Sequence, residues 1–138
     1  MDMRRYEPDD RASCLGVFDS LAPALLDAAA RPGFEAWLDR NEGPFFVMEH
    51  DEIVVGCGGY SLSPDQSTAT LRWGMIRADA QKMGLGRFLL MYRIREIGRA
   101  GTVGVVSAHP PQASAGFFEK QGFRSNGVDL VRKLTVCT

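Results

Sequence analysis

The chain has 138 residues, 45% hydrophobic and 24% charged, which suits one domain with enough apolar material for a core without disulfide or metal staples and excludes a mainly disordered chain. A formal net charge of −1 lacks the cationic excess that neutralises phosphate backbones, so nucleic-acid binding is not expected. Cys14, Cys57 and Cys137 lie far apart with no C-x-x-C spacing, which points to neither a disulfide framework nor a zinc site; with no apolar leader at the N-terminus and no apolar run long enough to span a bilayer, the expectation is a single cytoplasmic domain over residues 1–138.

In chain order, Met3 to Tyr6 reads as a short opening strand. Pro8, Asp9 and Asp10 then supply helix-starting chemistry ahead of Leu15, Phe18 and Leu21, which predicts a helix from Pro8 to Ser20. Pro32-Gly33 separates a less regular stretch from Phe34, Trp37 and Leu38, whose i, i+3, i+4 spacing gives one apolar helix face, with Gly43 suited to the C-terminal cap. The aromatic and β-branched run Phe45 to Glu49 and the run Ile53 to Leu62 form a hairpin across His50-Asp51-Glu52. After a loop at Ser63 to Ser67, Thr68 to Ile76 is a third neighbouring strand.

The period changes at Gly86, where Phe88, Leu89, Met91, Tyr92, Ile94 and Ile97 repeat at helical spacing until Gly98 and Gly101. Arg93, Arg95 and Arg99 on this helix read as a solvated face. Val103 to Ser107 is a buried-type strand, Pro110-Pro111 opens a helix carrying Phe117 and Phe118, and a last hairpin pairs Phe123-Arg124 with Asp129 to Val136 across Ser125-Asn126-Gly127. The order β-α-α-β-β-β-α-β-α-β-β predicts a mixed sheet with helices covering its faces.

The chemistry concentrates at Gln81-Lys82-Met83-Gly84-Leu85-Gly86-Arg87, a glycine loop between a strand and a helix. A helix N-terminus presents unpaired N–H groups and the positive end of its dipole, so it favours an anion such as pyrophosphate. Gly84 and Gly86 permit positive φ and remove the Cβ atoms that would block backbone approach, while Lys82 and Arg87 add positive charge. No G-K-[ST] follows, and no third glycine stands at the dinucleotide spacing, so two rival phosphate loops do not fit.

At these residues the sequence resembles the GNAT superfamily of acyl-CoA-dependent N-acetyltransferases. Gln81 to Gly86 matches its motif Q/R-x-x-G-x-G/A, and Phe117-Phe118-Glu119-Lys120-Gln121-Gly122-Phe123 matches its downstream F-[YF]-E-x-x-G-F. The resemblance spans essentially the whole chain and implies an α/β (α+β) fold, with a mixed, mostly antiparallel sheet, helices on both faces and strands splayed at a cofactor cleft. It implies acetyl-CoA as acyl donor, its pyrophosphate on residues 81–87 and its pantetheine arm bonded to the backbone of a bulged strand at Met75 and Ile76. The same strand would offer a backbone N–H to the developing oxyanion.

The acceptor implied is a primary amine of a small molecule or peptide, attacking the thioester directly, with no metal and no side-chain nucleophile. Where many members carry a tyrosine as proton donor to the thiolate, this chain has Phe118, which can pack beside the cofactor as Phe117 can but donates no proton. Ser114 and Tyr92 are substitute donors, Gln112 stands in for a frequent asparagine, and His109 is the candidate general base. The alternative is a non-catalytic acyl-CoA-binding sensor, to which the missing tyrosine points. The terminal strand Val128 to Val136 leaves room for a homodimer through its edge.

Overall fold

The computed structural model of the chain describes residues 2–81, 83–110, 115–126 and 129–134. Strands β1 (Asp2–Arg5), β2 (Phe45–His50), β3 (Ile53–Leu62), β4 (Thr68–Ile76), β5 (Val105–Ala108), β6 (Arg124–Ser125) and β7 (Leu130–Lys133) make one sheet in the order β1-β2-β3-β4-β5-β7-β6. All neighbours are antiparallel except β4 and β5, which are parallel. Helices α1 (Arg11–Leu21), α2 (Arg31–Arg40), α3 (Leu85–Arg99) and α4 (Ala115–Lys120) complete the expected element order.

The two faces of the sheet bury different cores. On one, Cys14, Val17 and Phe18 of α1 and Phe34 and Trp37 of α2 pack on Val47, Cys57 and Met75, with the Phe18 and Phe34 rings stacked at 5.8 Å. On the other, Leu90 and Ile97 of α3 cover Phe46, Tyr60, Leu71 and Val106, while Leu89 meets Met48 and Ile76. Each fully buried Phe or Leu contributes roughly 1.5–3 kcal/mol of transfer free energy, which fixes which way each strand faces. Burial pushes the Cys57 thiol well above its ordinary pKa, so it stays protonated and offers no nucleophile.

Local chemistry shifts some boundaries from those expected. Pro8–Asp10 is a single 3-10 turn, and the α-helix proper runs from Arg11 to Leu21. Pro32 and Gly33 do not precede the second helix but lie inside its first turn, where a missing N–H costs nothing. That helix ends on Asn41 in the left-handed region (φ +53°), not on Gly43, because asparagine tolerates that conformation. The β2–β3 turn has positive φ at both Asp51 and Glu52, the geometry that matches strand twist in two-residue hairpins. In the β3–β4 loop, Asp65 accepts hydrogen bonds from the Ser67 hydroxyl and N–H and from the Ser63 hydroxyl, which hold its carboxyl down at about 2.

The final hairpin is shorter than expected within the described residues. Its turn is closed by Asn126, whose N–H donates to the Asp129 carbonyl at 3.0 Å and whose side-chain carbonyl accepts from the Asp129 N–H at 2.8 Å. Gly127, Val128, Thr135 and Val136 of the expected turn and strand lie outside the described residues.

Candidate active site at the split between two strands

The parallel pair β4–β5 stays in register for only three residues, Thr68 with Val105, Ala69 with Val106 and Thr70 with Ser107. β5 ends at Ala108 while β4 continues to Ile76, so a wedge opens between them. A bulge bends β4 at the mouth of that wedge. Its register against β3 jumps from Cys57–Met75 to Gly59–Arg72, which inserts one extra residue in β4. Trp73 takes the strain, with φ at +54°. Arg72 and Trp73 consequently face the same side of the sheet, Arg72 lying 5.3 Å over the Trp37 ring and Trp73 lying 5.0 Å from Phe34.

The wedge holds a cavity of about 270 Å³ lined by Leu26, Leu71, Trp73, Gly74, Met75, Arg93, Ala108, His109, Pro110 and Phe118. Met75 turns its side chain into the core and, opposite Cys57, its backbone towards β3. Arg77 donates its N–H to Val55 of β3, and strand alternation therefore turns Ile76 the other way. There the Ile76 carbonyl accepts the Gln81 side-chain amide at 2.5 Å, which ties the glycine loop to the end of the strand.

In that loop Gly84 caps α3 with φ at +75°, a conformation that L side chains rarely adopt, and a Cβ built there would meet nothing within 4 Å. The Phe88 N–H is the first to bond back within the helix, to Gly84 at 3.2 Å, so those of Leu85, Gly86 and Arg87 have no intrahelical acceptor. Leu85 anchors the loop by packing on the Met48–Ile76 cluster, while Met83 and Arg87 are exposed. Gly86 faces α4, with the Phe117 ring 3.8 Å from the position of a Cβ. Lys82 lies outside the described residues.

Phe118 reaches the cavity wall and is held edge-on between Phe117 and Phe123, each at 5.3 Å. Tyr92, a substitute acid on sequence grounds, packs on Phe46 at 5.2 Å beneath Arg95 and lines neither this cavity nor the one beside it. Ser114 and Gln112 fall outside the described residues. His109 does line the cavity, and also a neighbouring one of about 260 Å³ on the β7 side. Its Nδ1 lies 2.7 Å from Oδ1 of Asp129, close enough for an ion pair though without the N–H alignment of a good hydrogen bond. Asp129 was not legible as a site residue from the sequence; it meets His109 because β5 pairs Ala108 with Leu130.

The reading of Arg93 as part of a solvated helix face is overturned. Arg95 and Arg99 are exposed, but Arg93 is only 4% accessible, between Leu89 and Ile97 on the buried stripe of α3. Spacings of four residues, 89, 93 and 97, carried that signal. Its guanidinium lies against the bulge, and a Cβ on Gly74 would come within 2.6 Å of Nη2, so a side chain there would have to displace it. Nη1 donates a long 3.3 Å bond to the Gly59 carbonyl, whereas Nε has no acceptor among the described residues. Desolvation without a paired carboxylate pushes its pKa down to about 10. The Trp73 indole N–H on the same cavity is also buried and without an acceptor among the described residues.

No curated protein sequence matches the chain. Among solved structures, a GNAT-family protein from Desulfovibrio desulfuricans superposes with TM-score 0.83 at 20% identity over 99% of each chain. A GNAT acetyltransferase from Brucella melitensis, in complex with acetyl-CoA, gives 0.79 at 17% identity over 97% of this chain and 88% of its own. N-acetylglutamate synthase from Neisseria gonorrhoeae, complexed with coenzyme A and L-arginine, gives 0.77 at 20% identity over 96% of this chain and 33% of its own. These likenesses establish the fold. The acetyltransferase (GNAT) family model matches residues 14–123, most of the chain, and with the split strands and glycine loop in place the protein belongs to the GNAT family of acyl-CoA-dependent acetyltransferases.

Proposed function

We propose that the chain transfers an acetyl group from acetyl-CoA to a primary amine of a small molecule or peptide. The observation that carries this reading is the bulged end of β4, which turns the Ile76 N–H towards the wedge with no β5 partner and delivers the chain directly to the N-terminus of α3. The residues fit the cofactor: Gly84 and Gly86 carry no side chain over the helix N–H groups, and the position of a Cβ on Gly84 is open. When bound, acetyl-CoA supplies a thioester that an unprotonated amine attacks directly.

His109, whose Nδ1 lies 2.7 Å from Asp129 at the open edge of the cleft, is the candidate base for the incoming amine. A backbone N–H near Met75 serves the developing oxyanion, and Trp73 and Phe118 exclude water from the cavity. Since Phe118 has no proton to give, the departing thiolate is protonated by water or leaves as the anion. That same residue supports a second reading, a sensor that binds acetyl-CoA without turnover.

Thermal-shift titration with acetyl-CoA, CoA, ATP and NAD tests the cofactor, since a ligand of the folded state must raise its stability. A shift confined to the CoA compounds is expected, and a larger shift with a nucleotide would refute the placement. Thiol release from acetyl-CoA across an amine panel then separates enzyme from sensor. Gly86→Leu, which pushes a side chain towards Phe117 and the loop face, is expected to weaken acetyl-CoA binding at least tenfold, read by titration calorimetry on folded protein.

A further inference from the structure

A buried cation normally has a buried partner, because the desolvation it suffers is offset only by a close opposite charge or a full set of hydrogen bonds. Arg93 has neither. No aspartate or glutamate pairs with it among the described residues, and those residues include every aspartate and glutamate of the chain. One long bond to Gly59 and an orphan Nε are its complement among the described residues, and the guanidinium lies where Gly58 and Gly74 have no side chains to cover it. It lines the cleft in which the acyl group and the amine would meet. A second orphan donor, the Trp73 indole N–H, lines the same cavity.

From this we propose that Arg93 selects a substrate carrying a carboxylate, whose two oxygens complete the guanidinium fork inside the cleft. The inference rests on the acyltransferase reading and narrows it. The carboxylate has two sources, the far end of a dicarboxylic acyl chain on the thioester or the acceptor molecule itself. The chemistry is shared, since in either case a planar anion replaces water beside a planar cation in a desolvated site.

The test compares the wild-type protein with Arg93→Met and Arg93→Lys, each verified as folded by circular dichroism. In the first arm, dissociation constants are measured for succinyl-CoA and acetyl-CoA. In the second, with CoA bound, alanine, leucine and glutamate are each titrated against their α-carboxamides. Each preference is read as a ratio within one protein, so a general change in affinity cancels.

Wild type is expected to favour the carboxylate at least tenfold in one arm, Arg93→Met to bring that ratio to about one, and Arg93→Lys to retain part of it through charge alone. The arm that responds names the source. A ratio near one in both arms for wild type, or a preference that survives Arg93→Met, overturns the proposal while leaving the acyltransferase reading intact. Tighter binding of free CoA than of acetyl-CoA with no carboxylate preference overturns it too, giving Arg93 to the departing thiolate instead. Failure of every protein to bind any CoA compound would remove the acyltransferase reading, and this proposal with it.

Discussion

Two arginines of this sheet are treated in opposite ways. Arg4, at the β1 edge, is enclosed by carboxylates: Asp10 accepts from both Nη1 and Nη2 at 2.8 Å, and Glu49 accepts from Nε. The same Asp10 accepts the Glu7 N–H at 2.8 Å, so one buried carboxylate joins a strand, a turn and a helix start. Arg93, under the bulge of β4, is more deeply buried and has, among the described residues, a single long bond to a carbonyl. Where a charge serves the architecture it is neutralised within the chain. Where it is left unneutralised beside a cavity, a ligand is the partner that remains.

The largest way to test that contrast is to remove the carboxylate that neutralises Arg4. Asp10→Ala is expected to cost about 2–3 kcal/mol, below the 3–5 typical of a fully buried pair because Arg4 is 39% exposed, and to lower the melting temperature by about 5–10 °C. Arg93→Met is expected to have the opposite sign, a gain of roughly 1–2 kcal/mol in chemical denaturation, since it removes an unpaired buried charge and keeps the volume. Below about pH 10 that guanidinium is charged and costs stability, so the gain should be present at neutral pH. A large loss on Arg93→Met would mean that the residue is structural and the contrast false.

The smallest effect sharpens the Arg4 side. Hydrogen bonding from Arg4 holds the Asp10 carboxyl below its usual range, so its stabilisation is fully present above the ordinary carboxylate pKa and is lost as pH falls below it. Wild type should lose stability in acid more steeply than Asp10→Asn, measured as melting temperature between pH 6 and pH 3. Parallel curves would show that the network contributes little.

Much of this was readable in the sequence because it rests on local chemistry. The period change at Gly86, the β-rich runs and the loop at Ser63–Ser67 predict the elements and their order, and the strand expected over Thr68–Ile76 has those bounds. The glycine loop was legible for the same reason. What escaped is long-range. Asp129 reaches His109 only through the β5–β7 register, and the positive φ of Trp73 is imposed by the packing around the bulge. Arg93 escaped differently: an arginine's charge argues for solvent, whereas its four-residue spacing with Leu89 and Ile97 puts it on the apolar stripe.

The bulge at Trp73-Gly74 also makes β4 unequal along its length in its tolerance of insertions and deletions. Because it carries one residue more than β3, it sets the parity of everything after it: Met75 enters the α1–α2 core and Ile76 the α3 core. Removing either bulge residue would exchange those two destinations and shorten the path into the glycine loop. A residue gained or lost between Ser63 and Ser67 would leave both unchanged, so length variation among homologous chains should gather in that loop and be absent from the bulge.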